Sequence, residues 1–548
     1  MIQKSFFIAI CLAIVLTGLL IVYTYLPWSG ENIYTDLIVR IRKEQTPKSL
    51  NPLMYFETET LKLSEIGFAI SECLFDGLWN RTYHNGRIDY EKGLASSLSS
   101  FDNRKISKRW TVTLNNFYWN NTNNRVTAED VLHTYKCIDL GGSSSPWRAR
   151  LRNNIGENPH IQNSNLYKIE FVFRRPLTEG EVIKLLSFKI IPKDFEYKGS
   201  RIQLHPIQMR TKDSDNWHIF ENLLLGTGPY QFSKEKSSEE KIVLERNTTN
   251  YKNANLPEHI IFKELDDSEI ELAFGKSINF SLYIPNDYYD EIVSHSNLKT
   301  QQYTPFYFYA LVFGQKVSDS IKKSFVADLN PDIKCDLLKR FDKKNCNCQY
   351  VNHGPFPWNW RIFVDYDRMP YTNEASYQTT SSHQKTSIQM IWNRNDTRTK
   401  NLAYLISDFM DHNYNFEMKE LPEYKFMETL RSQNYDVALI VWEGFDQDYS
   451  ISKLYTPKRN NELNIANLSR GVQKQLNREF ETYMNSNSID DKYLYGHVIH
   501  QLINQEHPYV YLFSPPRTAA FIDQIDGIDQ YPVHPESFLA NISKWRMR

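Results

Sequence analysis

At 548 residues the chain is too long for one compact core, which predicts two or three domains. Hydrophobic residues make up 41% and charged residues 24%, which excludes a disordered chain. The 64 Lys and Arg nearly balance the 65 Asp and Glu, and without a basic stripe nucleic acid is excluded as a partner.

The first element is not globular. Phe6 to Leu26 (FFIAICLAIVLTGLLIVYTYL) carries no charge and is long enough to cross a bilayer as a helix. Lys4 precedes it and Glu31 and Asp36 follow, which leaves residues 1–5 in the cytoplasm and the rest outside. A cleaved signal peptide is the alternative, but YTYLPWSG is a poor cleavage site, and Cys11 lies mid-run, badly placed for a lipid-attached terminus. The reading is an uncleaved anchor over residues 6–26. Beyond it lie Cys73, Cys137, Cys335, Cys346 and Cys348, an odd number. Cys335 with Cys346 or Cys348 would close a short loop. Cys346 and Cys348 with His353 fit no common zinc spacing, and His497 and His500 read as helix-surface residues, so no metal is expected.

After the anchor, Ile33–Ile41 reads as a strand, Thr46–Pro52 as a turn, and Glu65–Trp79 as a helix with Ile66, Ile70, Cys73 and Leu74 on one face. Lys108–Leu114 and Phe117–Asn120 read as strands. In RVTAEDVLHTYKCI, Thr127 and Asp130 have capping-box spacing ahead of Val131, Tyr135 and Ile138. Lys168–Arg174 alternates as a strand. LGTGPY (Leu225–Tyr230) is a turn, followed by a hairpin of Tyr230–Ser233 with Lys241–Arg246, then a strand at Ile260–Leu265. From Ser387 to Trp442 the pattern is strand, helix, strand, helix, strand. That order predicts right-handed crossovers and a parallel sheet, with ligand beyond the carboxyl ends of its strands. WEGFDQDY (Trp442–Tyr449) then falls at the ligand edge. Two amphipathic helices, Arg470–Met484 and Ile489–Asn504, follow.

Several stretches, in this order, resemble the bacterial oligopeptide, dipeptide and nickel solute-binding proteins of ABC importers, extracellular solute-binding protein family 5. They are SLNP (Ser49–Pro52), ECLFDGLWN (Glu72–Asn80), FYWNNTNNRVTAEDV (Phe117–Val131), LGTGPYQF (Leu225–Phe232), VLERNTTNY (Val243–Tyr251), YDVALIVWEGFDQDY (Tyr435–Tyr449) and HPYVYLFSPP (His507–Pro516). The resemblance implies an α/β, two-lobed periplasmic-binding-protein type II fold of three domains. Residues 33–74, 187–303 and 506–548 would form lobe I, residues 75–186 a domain inserted in it, and residues 304–505 lobe II. Two strands crossing near Gln301–Thr304 and His507–Leu512 would make the hinge.

Ligand-cleft positions carry over by resemblance as Trp442, Asn464, Trp147, Tyr424, and the edge at Phe56 and Glu57. Peptide-binding members place an Asp three residues after the tryptophan, where this chain has Phe445. Asp446 takes over that role if the loop shifts by one residue; otherwise the ammonium site is lost. Read without the resemblance, Trp442 and Trp147 are core aromatics, and Asp446 and Asp448 are solvated loop carboxylates.

The implied function is binding, without a cofactor or catalytic residue, of oligopeptides or similar small ligands delivered to importer permease subunits. The place is the extracytoplasmic (periplasmic) face of a bacterial inner membrane. Two rivals stand beside it. One is an anchored metal-dependent transferase or hydrolase using the Asp446-Gln447-Asp448 motif; no G-x-S-x-G, H-E-x-x-H or P-loop is present. The other is a receptor on the same fold that passes occupancy to another membrane protein.

Overall fold

The structure is a computed structural model. It describes residues 35–42, 46–47, 49–53, 65–84, 87–120, 122–140, 146–210, 215–251, 255–295, 297–303, 307–344, 347–352, 354, 385–443, 468–485, 489–506, 509–528, 539 and 541–548. The apolar segment 6–26 lies outside them. Among the described residues no helix is long and apolar enough to cross a membrane.

In chain order the strands are β1 (Leu37–Ile41), the hairpin β2 and β3 (Trp79–His84, Arg87–Lys92), β4 (Ala95–Ser100), β5 (Ile106–Leu114), β6 (Ile155–Ile161) and β7 (Lys168–Thr178). A second hairpin, β8 and β9 (Asp194–Tyr197, Ser200–Gln203), leads to β10 (Tyr230–Phe232), β11 (Lys241–Arg246), β12 (His259–Glu264), β13 (Phe280–Ser281) and β14 (Leu298–Tyr303). Then come β15 (Tyr307–Phe313), β16 (Thr386–Asn393), β17 (Tyr414–Leu421), β18 (Val437–Glu443), β19 (Tyr509–Tyr511) and β20 (Arg517–Ile522).

Three larger sheets result. A seven-stranded sheet has the order β10-β11-β12-β1-β13-β20-β14, a five-stranded sheet β17-β16-β18-β15-β19, and a four-stranded sheet β4-β5-β7-β6. The four-stranded sheet falls in the chain between β1 and β10. It shares one continuous apolar core with a face of the seven-stranded sheet, through Trp110, Val112, Phe171 and Phe173 on one side and Val39, Ile260 and Phe280 on the other.

The five-stranded sheet shows why its strands read as unbroken apolar runs. Along β15, Phe308, Ala310 and Val312 enter one core, and Tyr307, Tyr309, Leu311 and Phe313 the opposite one. Along β18, Ala438, Ile440 and Trp442 alternate with Val437, Leu439 and Val441 in the same way. Side chains of a strand point to alternate faces, so a strand covered on both faces needs apolar residues at every position. The helix Thr397–Met410 covers one face with Leu402, Ala403, Ile406 and Met410, and the helix Glu423–Ser432 covers the other with Phe426, Met427 and Leu430. β16 runs parallel to both β17 and β18, as the strand and helix order predicts. β15, which sequence reading passed over, runs antiparallel to β18 and β19, so the sheet is mixed.

Two local readings need correction. The helix predicted to Trp79 ends at Leu74. There Gly228 N–H donates to the Leu74 carbonyl at 2.9 Å and terminates the helix ladder. Phe117–Asn120 is not a strand; it holds a single bridge, Tyr118 to Arg125. Its backbone is engaged elsewhere: Asn250 Nδ2 donates to the Tyr118 carbonyl at 2.8 Å, and Asn120 N–H donates to the Gly226 carbonyl at 2.9 Å.

The helix Ala128–Leu140 realises half of the capping box. Thr127 N–H donates to Asp130 Oδ2 at 2.8 Å, while the Asp130 N–H bonds the Thr127 carbonyl rather than its hydroxyl. Asp130 also accepts from Lys193 N–H at 2.8 Å. Burial pushes its carboxyl up from 3.8 to about 6, outweighing these hydrogen bonds. Burial, reinforced by Lys193, holds neighbouring His133 down from 6.5 to about 4.

The two shifts have opposite linkage. The His133 contribution is complete above pH 6.5 and is lost as pH falls through about 4. The Asp130 contribution is complete below pH 3.8 and is lost as pH rises through about 6. Between about pH 4 and 6 they offset each other. His133→Gln is therefore expected to unmask Asp130, with stability rising by ~3 kcal/mol relative to the parent as pH falls from 7 to 4. Urea midpoints at pH 4, 5, 6 and 7 check this; parallel curves for parent and variant contradict it.

Candidate functional site

The chain passes between the seven-stranded and five-stranded sheets twice. β14 leads to β15, and β19 leads to β20. On one side β14 pairs antiparallel with β20, ending at Tyr303 opposite Arg517. On the other, β15 pairs antiparallel with β19, with Ala310 opposite Tyr511. The crossing strands thus lie side by side. Tyr307 Oη donates to the Pro515 carbonyl at 2.6 Å, and the Arg517 guanidinium lies 4.6 Å from the Tyr307 ring centre. Burial pushes the hydroxyls of Tyr307 and Tyr309 above the ordinary tyrosine range, so these phenols stay neutral.

In the seven-stranded sheet β1, β12 and β13 run parallel, with carboxyl ends at Ile41, Glu264 and Ser281. Arg40 knits these ends together. Its guanidinium donates to the carbonyls of Leu265 and Tyr283, each at 3.1 Å, and pairs with Asp267. In the five-stranded sheet the parallel strands end at Asn393, Leu421 and Glu443. The chain leaves β16 for β17 on one flank and returns to β18 on the other, so it reverses direction between β16 and β18. In open α/β sheets such a reversal opens a crevice at the strands' carboxyl ends. The helix Thr397–Met410 starts there. The Asp396 side chain caps it by accepting from the N–H groups of Arg398 and Thr399 at 3.1 and 3.2 Å.

Trp442 sits near the carboxyl end of β18, 6% exposed, opposite Phe308, and its ring stacks on Phe308 at 5.2 Å. Tyr424 is the second residue of the helix that follows β17 and is 75% exposed. Both therefore lie by the carboxyl-end edge of the parallel strands. Trp147 is in the helix Pro146–Asn154, packed edge-on to Phe188 at 6.2 Å and flanked by the guanidiniums of Arg81 and Arg150 at 5.0 and 5.4 Å. Trp442 and Trp147 thus stack on different partners in different cores. Phe56, Glu57, Asp446 and Asn464 lie outside the described residues.

Among the described residues, Asp36, Glu258 and His259 bring potential metal-ligating atoms within 4.8 Å of one another. The imidazole is already engaged on both sides: Nδ1 donates to Asp36 Oδ1 at 2.8 Å and Nε2 accepts from the Lys236 ammonium at 3.0 Å. The group also lies at the amino ends of β1 and β12, the edge opposite the crevice.

Residues 89–330 match the model of the bacterial extracellular solute-binding proteins, family 5, middle region. Over that stretch the chain resembles family 5. The oligopeptide-binding protein AppA of Bacillus subtilis is 20% identical over 349 residues, 59% of this chain and 62% of that protein, so the match spans less than two thirds of this relative's length. The solved structure of B. subtilis AppA with a nonapeptide superposes with a TM-score of 0.64 at 16% identity, covering 94% of this chain and 99% of that one. NikZ of Campylobacter jejuni with Ni(L-His) superposes with a TM-score of 0.69 at 15% identity, covering 94% and 100%. At these identities the structures carry the fold, which is that of the family 5 binding proteins.

Sequence reading missed Arg40, Tyr283 and Arg398 at the carboxyl-end edges. Arg398 had a usable signal, since it follows a capping Asp just after a buried parallel strand. Tyr283 had none: its place depends on β13, which is only two residues long.

Proposed function

We propose that this protein is an extracytoplasmic solute-binding protein that captures an oligopeptide or a ligand of similar size between two lobes, and delivers it to an ABC importer. The paired crossings carry the reading: two adjacent strands join two sheets, and the carboxyl ends of each sheet's parallel strands offer a crevice. Such a double connection permits hinge closure on a ligand. In this reading the seven-stranded sheet with the four-stranded one forms lobe I with its inserted domain, and the five-stranded sheet forms lobe II. An extended peptide satisfies main-chain groups at strand edges whatever its sequence, while aromatic side chains such as Trp442 supply apolar area. Asp446 is the proposed partner of the ligand's ammonium, a charge-assisted bond worth about 1.5–3 kcal/mol. Asn464, Trp147, Tyr424, Phe56 and Glu57 complete the proposed lining. Residues 6–26 tether the protein to the membrane.

Native mass spectrometry of the full-length protein tests both parts. It is expected to show a co-purifying small ligand and an N-terminus that retains residues 6–26; a chain beginning near Ser29 would remove the tether. With the ligand in hand, Trp442→Ala and Asp446→Ala are each expected to weaken binding about tenfold or more. Asp446→Ala is expected to leave the melting temperature of the ligand-free protein nearly unchanged, whereas Trp442→Ala also lowers it, because the ring packs on Phe308 in the core. Unchanged affinity in both variants would move the site elsewhere.

A further inference from the structure

The two crossings are not the only link between the seven-stranded and five-stranded bodies. Tyr283, just past β13, is buried between two guanidiniums: Arg42 from the same body at 5.1 Å from its ring centre, and Arg398 from the five-stranded body at 5.0 Å. Arg398 also lies 5.6 Å from the Phe341 ring centre and 3.7 Å from the buried carboxylate of Asp342. Two residues on, Lys344 reaches back across the same junction. Its ammonium donates to both Asp290 oxygens at 2.5 and 2.6 Å and lies 5.5 Å from the Tyr289 ring centre. One body therefore presents Tyr283, Tyr289 and Asp290; the other meets them with Arg398 and Lys344, while Phe341 and Asp342 back the Arg398 guanidinium from its own side.

Phe341, Asp342 and Lys344 fall within a single covalent loop. Cys335, in the helix Pro331–Phe341, is bonded to Cys348, thirteen residues on, with a Cα–Cα separation of 5.0 Å. Beyond Cys348 the chain runs beside the second crossing. Ser514 N–H donates to the Tyr350 carbonyl at 2.8 Å, and Asn352 N–H donates to the Leu512 carbonyl at 2.9 Å. The bond thus fixes a loop that touches the opposite body through Lys344 and leads, past Cys348, into the segment beside the crossing.

We propose that the loop closed by Cys335–Cys348 is an interlobe clamp, and that this disulfide holds the two bodies in register at the mouth of the crevice through Arg398–Tyr283 and Lys344–Asp290. A loop whose ends are tied loses conformational freedom, so Lys344 meets Tyr289 and Asp290, and Phe341 and Asp342 hold Arg398 against Tyr283, at less entropic cost. The clamp is also redox-sensitive. A soluble dithiol reduces the bond by two electrons to two thiols, itself becoming a cyclic disulfide, and releases the loop. The clamp does not depend on which ligand the crevice takes.

The test alters each side of the junction in turn and reads the seven-stranded body. Hydrogen–deuterium exchange is followed by mass spectrometry on the ligand-free full-length protein, over residues 283–294. Cys335→Ser with Cys348→Ser, and separately Tyr283→Ala, are each expected to speed exchange there about tenfold, the scale of a desolvated cation–π contact. Tyr283→Phe keeps the ring and is expected to exchange like the parent. Should the serine variant fail to fold, the folded parent is treated with dithiothreitol instead, and the same acceleration is expected. Parent-like exchange over 283–294 after loss of the disulfide, or in Tyr283→Ala, overturns the clamp.

Discussion

Gly226→Ala is expected to destabilise the protein by about 3 kcal/mol, although it adds a single methyl group. Gly226 lies against the last turn of the helix Glu65–Leu74. A Cβ there would run into the Leu74 carbonyl oxygen and press on the Phe75 ring, and Gly228 is seated in the same way against the Cys73 carbonyl. Main-chain atoms cannot swing aside like the end of a long side chain. The turn is also pinned from behind, because Asn247 Nδ2 donates to the Gly228 carbonyl at 2.7 Å and to Asn120 Oδ1 at 2.6 Å. Relief would have to break a buried amide network or unseat a helix end. The control is Gly180→Ala, in the helix Glu179–Leu185 with nothing within 4 Å of the new Cβ. That change is expected to stabilise by about 0.5 kcal/mol. Urea unfolding of both variants decides; similar midpoints would refute the close approach at Gly226.

Lys189→Met is expected to cost about 3–5 kcal/mol. The Lys189 ammonium donates to Glu72 Oε2 at 2.8 Å, and both side chains are nearly excluded from water, 8% and 9% exposed. Removing the cation alone leaves a buried carboxylate without its counter-charge. Removing both charges with apolar residues of similar volume removes that penalty too, so Glu72→Leu with Lys189→Met is expected to recover most of the loss. The urea midpoints of the parent, the two single variants and the double variant form a cycle. A double variant as unstable as the sum of the singles would mean that the two charges act independently.

These two sites explain what was legible in the sequence. The motifs that carried the family resemblance, LGTGPY, the Arg-Asn of VLERNTTNY and ECLFDGLWN, meet at one place. Tyr251 Oη donates to both Asp76 oxygens, at 2.8 and 2.9 Å, and Asn247 holds the glycine turn. They are architectural residues, and their spacing shows in one sequence because tight turns and buried amides admit few residue types. The parallel unit from Thr386 to Glu443 was legible for a similar reason: strands covered on both faces and helices covered on one leave different periodicities. The Cys335 bridge was legible only as a choice between two partners, since spacing alone did not separate Cys346 from Cys348.

Positions proposed to line the crevice obey no such periodicity. Trp442 was placed because it ends a strand whose topology could be inferred, whereas Tyr283 and Arg398 meet only through the approach of two bodies more than a hundred residues apart in the chain. β15 was missed because YFYALVF, an apolar run of seven, carries no period that separates strand from helix.

The strand order of the larger sheet also constrains how the molecule is made. β20 lies between β13 and β14, yet it is encoded more than two hundred residues after either of them. While the polypeptide emerges from its N-terminal end, β13 and β14 must wait with an open slot between them until residues 517–522 arrive. The five-stranded sheet waits less, since every strand except β19 is already available by residue 443. The body that begins the chain is thus the last to be sealed, and the exposed strand edges in that interval are where a nascent chain of this topology is most open to mispairing.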